Sequence, residues 1–191
     1  MRSFLFSLLT LLIISFTGQA QAPKTLRYFM QAPPLPASSI PYGANPKAGN
    51  YIKAGDTRIY YEVYGKGDTL VILHGGVVGS PYEMGQFIDS LSKHYQVIAV
   101  STRGHGKSEI GSGAPTYERK AEDVSAIINA VTKDSVTVLG FSDGAYTGYH
   151  LAALHPEKVK KLIAIGAGEW KKGFRTFNNT RQVLFSLDSL Y

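Results

Sequence analysis

Gly140-Phe141-Ser142-Asp143-Gly144 carries the strongest chemical signal in the chain. A serine with glycine two positions to either side suits a sharp strand-to-helix turn, where no neighbouring side chain crowds the hydroxyl and Oγ stands exposed as a nucleophile. Attack by such a serine on an acyl carbon creates an oxyanion, which needs fixed hydrogen-bond donors. His74-Gly75-Gly76 supplies a candidate: the backbone N–H of Gly76, acting with that of Asp143, the residue after the serine. Glycine there lets a substrate approach the main chain closely.

Other chemistries fit less well. Gly76 and Gly79 are spaced like the end of a dinucleotide-binding turn, but His74 stands where its first glycine belongs, and an imidazole would crowd the pyrophosphate. Gly106-Lys107-Ser108 ends like a phosphate-binding loop, yet Ser101 occupies the place of that loop's first glycine. No pair of histidines stands at ligand spacing beside a carboxylate, so neither a metal nor a cofactor is expected. There are no cysteines, which removes disulfides, thiolate metal sites, a cysteine nucleophile and a lipidated cysteine together. The net charge of +6 comes from basic residues that are scattered rather than clustered, so no nucleic-acid partner is expected. Trp170 to Phe177, with Lys171, Lys172 and Arg175, follows the last predicted strand and fits the start of a substrate-covering cap better than a nucleic-acid patch.

A serine turn needs a sheet to hold it. At 191 residues, 44% hydrophobic and 18% charged, the chain has the length and composition of one globular domain. Four short apolar runs, Leu70 to Leu73, Val97 to Val100, Val136 to Leu139 and Leu162 to Ile165, are rich in β-branched residues, as strands buried on both faces of a parallel sheet should be. Helices are predicted between them. Ser80-Pro81-Tyr82-Glu83 has the form of a capping box with a first-turn proline and opens one to about Lys93. Tyr117, Ala121, Val124, Ile127, Ile128 and Val131 hold a 3.6-residue period, and a third helix runs from about Gly144 to Leu154, ending at His155-Pro156. Ahead of them, Tyr51 to Tyr64 reads as a hairpin turning at Gly55-Asp56, with Ile59, Tyr61 and Val63 on one face and Tyr60, Glu62 and Tyr64 on the other. The alternation predicts an α/β fold, a doubly wound, mostly parallel sheet with flanking helices.

Leu73-His74-Gly75-Gly76, Arg103-Gly104-His105-Gly106-Lys107-Ser108, Gly140-Phe141-Ser142-Asp143-Gly144-Ala145 and His155-Pro156-Glu157 resemble, in order and spacing, the α/β-hydrolase superfamily over about residues 51–168. The resemblance implies a serine hydrolase acting on an ester, amide or related small acyl substrate, with Ser142 as nucleophile and the backbone of Gly76 and Asp143 as the oxyanion hole. Family members usually carry a structural aspartate where this chain has Ser101, a departure that bears on the geometry of the following loop. The family's triad runs serine, acid, histidine. After Ser142 the only histidines are His150 and His155, both on the helix that starts at the serine; the acids include Asp143, Glu157, Glu169 and Asp188. Supplying the base would take about two further strand-helix units of about 30 residues each. Residues 51–191 are therefore expected to form an α/β-hydrolase domain incomplete at its C-terminus, and the alternative to an active hydrolase is a catalytically incomplete or non-enzymatic relative.

The first 20 residues read as a signal peptide. Arg2 precedes an apolar run over 4–16, too short to span a bilayer comfortably, and Gly18-Gln19-Ala20 offers a small-x-small cleavage site. Cleavage after Ala22 would set Pro23 across the scissile bond, so cleavage after Ala20 is favoured. A secreted or periplasmic protein without stable membrane association after cleavage is expected. Residues 21–50, dense in proline and glycine, read as an extended arm.

Overall fold

The computed structural model describes residues 38–168. The expected signal peptide, most of the arm, Glu169, Asp188 and the expected cap segment lie outside the described residues. A six-stranded sheet has the order β1-β2-β4-β3-β5-β6. β1 (Gly49–Ala54) and β2 (Thr57–Tyr64) form the antiparallel hairpin, and β2 also pairs antiparallel with β4 (Gln96–Val100). β4, β3 (Thr69–Leu73), β5 (Val136–Phe141) and β6 (Val159–Ile165) are parallel.

Side-chain alternation along these strands feeds two cores. Val71, Leu73, Ile98, Val100 and Val138 pack against Ala121, Val124, Ile127 and Ile128 of α2 (Tyr117–Val131) and Leu151 of α3 (Asp143–Leu154). On the opposite face Leu70, Ile72, Val97, Ala99 and Leu139 meet Met84 and Ile88, the latter on α1 (Gly85–Leu91). Because the chain passes from β3 to β4 on one side and then returns to β5 on the other, right-handed crossovers put α1 on one face and α2 and α3 on the other. β6 begins at Val159, earlier than the apolar run alone indicated, and carries exposed Lys160 and Lys161 at the margin of the described sheet. Lysines of this kind discourage edge-to-edge pairing. No helix among the described residues is long and apolar enough to cross a membrane.

The compact fold starts before Tyr51. β1 begins at Gly49, and Tyr42 is buried in the second core, so residues 40–48 are docked rather than an extended arm. Glu62 does the docking. Its fully buried carboxylate accepts hydrogen bonds from the backbone N–H of Gly43 (2.8 Å) and Asn45 (2.7 Å) and from the hydroxyls of Tyr60 and Tyr64 (2.8 Å each). Burial, and then the bond to this carboxylate, hold both phenols well above the ordinary tyrosine range. Four donors satisfy an ionised carboxylate, whereas an amide would turn its own NH₂ toward two of them. Glu62→Gln should therefore cost about 2 kcal/mol. A lower urea midpoint at unchanged slope would register that loss; an unchanged midpoint would show that the clamp carries no stability.

Candidate active site

The site lies where β3 and β5 run side by side at their carboxyl ends. Leu73 is in register with Gly140, so the turn after each strand opens next to the other, at the point where the order of connections reverses. Ser142 joins β5 to α3 with φ 50° and ψ −112°, a left-handed conformation that a serine adopts only under strain, and its N–H is fixed on the Ile165 carbonyl at 2.8 Å. The flanking glycines are required. A Cβ on Gly144 would collide with the carbonyl oxygens of Leu73 and His74, and one on Gly140 would lie 2.7 Å from the Ala145 Cα. Ser142 caps α3 without a side-chain hydrogen bond and is half-buried.

Gly76 faces this turn. A Cβ built on it would stand 3.1 Å from the Asp143 Cβ, so the two expected oxyanion donors belong to adjoining residues. Among the described residues neither the Gly76 nor the Asp143 N–H has a hydrogen-bond partner. Their position at the amino end of α3 adds the favourable end of the helix dipole.

The next residue back is held from behind. His74 is fully buried; its Nδ1 lies 2.6 Å from the Gly75 carbonyl, and its Nε2 accepts from the Thr102 N–H at 3.0 Å. These two bonds select the neutral tautomer with the proton on Nδ1. Burial pushes the imidazole pKa down to about 4. Glu83 completes the support, but not as a capping box. Ser80 caps Tyr82, the expected helix opens as a 3₁₀ turn over Pro81–Met84 and becomes α-helical only over Gly85–Leu91, and the Glu83 carboxylate accepts from the Gly75 N–H. Its carboxyl pKa is raised by burial, with the Gly75 N–H pulling the other way.

One side chain at the turn escaped sequence reasoning. Lys120, in the first turns of α2, reaches the Asp143 carboxylate at 2.7 Å and is itself only 7% exposed. Helical periodicity puts Lys120 near α3, but only the packing of α2 on α3 reveals its partner.

All five histidines fall within the described residues, and none is hydrogen-bonded to Ser142. His105 lies on the loop after β4, with Nδ1 3.2 Å from the Thr102 hydroxyl; His150 faces Glu118 at 3.5 Å and His155 contacts Glu122 at 3.0 Å. His94 is exposed in the turn after α1. Ser101 Oγ, where the family's usual aspartate would sit, is buried with no hydrogen-bond partner among the described residues. The loop it underlies nevertheless closes through Ser108, whose hydroxyl donates to the Ser101 carbonyl at 2.6 Å. Among the described residues no group of histidine and carboxylate side chains could hold a metal ion.

Residues 68–187 match the family described as alpha/beta hydrolase fold. The chain is 32% identical over 120 residues to 2-hydroxy-6-oxo-6-(2'-aminophenyl)hexa-2,4-dienoic acid hydrolase of Metapseudomonas resinovorans, a match covering 61% of this chain and 41% of that protein. It is 30% identical over 124 residues to human serine hydrolase BPHL, covering 62% and 43%. Among solved structures, a serine hydrolase involved in carbazole degradation superposes with a TM-score of 0.60 at 28% identity, covering 64% of this chain and 48% of that one. The chain thus spans less than half the length of each of these three proteins. A sheet whose β3 and β5 turns carry H-G-G and G-x-S-x-G side by side agrees with these matches, and the chain belongs to the α/β-hydrolase fold family.

Proposed function

We propose that Ser142 is the nucleophile of an acyl hydrolase acting on a small ester, amide or related substrate. The observation that carries this reading is the strained serine at the start of α3 beside two backbone donors, Gly76 N–H and Asp143 N–H, that have no partner among the described residues. In the reaction the Ser142 Oγ forms a bond to the acyl carbon while its proton passes to a base. The carbonyl electron pair moves onto oxygen and is held by the two N–H groups. Collapse of that intermediate expels the protonated leaving group, and water releases the acid from the acyl-serine. The relatives' hydrolase names support the reaction class and leave the acyl group open.

A fluorophosphonate probe tests the nucleophile directly. Ser142 Oγ should displace fluoride from phosphorus, adding the mass of one probe less HF to the intact chain, on a peptide containing Ser142. Ser142→Ala should take up none. Equal labelling of both proteins would remove Ser142 from this role.

One observation favours a second reading, that this chain by itself is catalytically incomplete: among the described residues, which include every histidine, none is hydrogen-bonded to Ser142. The two readings differ in turnover rather than in labelling, since a serine beside an oxyanion hole can react once, slowly, without its base.

A further inference from the structure

We propose that Lys120 is a positioning residue for the Ser142 site, holding the Asp143 carboxylate out of the oxyanion hole; this rests on the reading of Gly76 and Asp143 as that hole. Asp143 brings a difficulty with it. The residue whose N–H must stabilise a negative oxygen carries a negative side chain, and that side chain borders the other donor: Asp143 Oδ1 is 3.5 Å from the position a Cβ on Gly76 would take. Both N–H groups are unpartnered among the described residues, and an acid in the first turn of a helix readily turns back onto such donors. A carboxylate that did so would fill the place of the substrate oxygen. Even without filling it, a charge at that range in a half-buried site would oppose a second negative charge.

Lys120 removes both problems. Its Nζ takes Asp143 Oδ2 at 2.7 Å, from a side chain 7% exposed against one 17% exposed, and lies 5.3 Å from the centre of the Tyr117 ring. The ammonium is thereby held from two sides, with the aromatic face favouring the cation. The pair is neutral overall, and it ties one carboxylate oxygen to α2 while the other stays beside Gly76 without accepting its N–H. His74, which feels the charge of Asp143, is kept neutral by its burial even though the Gly75 carbonyl pulls the other way, so Lys120 is the cation that balances Asp143.

The test uses the full chain, with fluorophosphonate labelling of Ser142 and the ¹H–¹⁵N resonance of the Gly76 amide read side by side. Lys120→Met keeps the length and loses the charge. It should slow labelling on the order of 10-fold and shift the Gly76 amide downfield as the freed carboxylate accepts its proton. Lys120→Arg should restore both readouts. Adding Asp143→Asn to Lys120→Met should recover most of the labelling rate, which a packing defect would not allow. Labelling and a Gly76 resonance unmoved in Lys120→Met, or a slow Lys120→Met that Asp143→Asn fails to rescue while circular dichroism shows a folded chain, would overturn the proposal. If the wild type itself is not labelled, the reading of Ser142 fails. The Gly76 resonance then decides Lys120 alone: a downfield shift in Lys120→Met reversed in Lys120→Arg supports it, and no shift overturns it.

Discussion

Purified as the full 191-residue chain, the protein should turn over p-nitrophenyl acetate about 10² to 10⁴ times more slowly than a hydrolase of its family whose serine is bonded to a histidine. A serine hydroxyl is a weak nucleophile until a base takes its proton in the transition state, and among the described residues no histidine is hydrogen-bonded to Ser142 to give that help. His74 has one nitrogen on the Gly75 carbonyl and the other on Thr102. His150 and His155 are turned toward Glu118 and Glu122 on α2. A residual rate, abolished by Ser142→Ala, is expected from the proposed oxyanion hole alone. The measurement is initial velocity for the wild type and Ser142→Ala against the buffer blank. A wild-type rate in the range of a complete hydrolase, lost on Ser142→Ala, would refute this. It would point to His105, on the β4–α2 loop at the same end of the sheet, as the base.

Much of this site can be read from residue order because its causes are local. A serine at positive φ between two glycines needs only five residues to specify it, and the apolar runs on either side state which elements it joins. H-G-G after the preceding buried strand is legible for the same reason, once β3 and β5 are known to be neighbours. Contacts between distant segments are not legible in this way. Ser80-x-x-Glu83 has the pattern of a reciprocal cap, yet the Glu83 carboxylate goes to Gly75, eight residues back, where the loop leaves a donor facing it. Alternation along β2 tells which face Glu62 is on. It does not tell that a proline-rich stretch 17 to 19 residues earlier folds back to offer two N–H groups to that face. Lys120 and Asp143 meet because α2 lies on α3, a consequence of crossover handedness rather than of spacing.

His74 should make the fold acid-sensitive, costing about 3 kcal/mol between roughly pH 6.5 and pH 4. In the folded chain burial holds its pKa near 4, whereas in the unfolded chain it returns to its ordinary value of 6.5. Between those values the unfolded state binds a proton that the native state refuses, so stability is complete above the upper value and drains away as the pH falls. The geometry explains the refusal. A proton on Nε2 would confront the Thr102 N–H that already donates to it at 3.0 Å, in a pocket with no exposure to water. Asp56 and Glu109, whose carboxyls are held low by arginine partners, lose their contribution only below their ordinary values near 4. Glu83 and Asp123, held high by burial, instead regain stability as they protonate and offset part of the His74 loss at the lower end of its window. Urea denaturation at pH 7.5, 6, 5 and 4 measures the effect. The wild type should weaken steadily across the series, while His74→Gln, less stable at pH 7.5, should stay nearly level down to pH 5. A wild-type stability that does not change between pH 7.5 and 4 would refute the buried neutral imidazole. Because the imidazole anchors the Gly75 carbonyl next to the Gly76 N–H, the same acid window should loosen the Gly75-Gly76 turn before the sheet itself gives way.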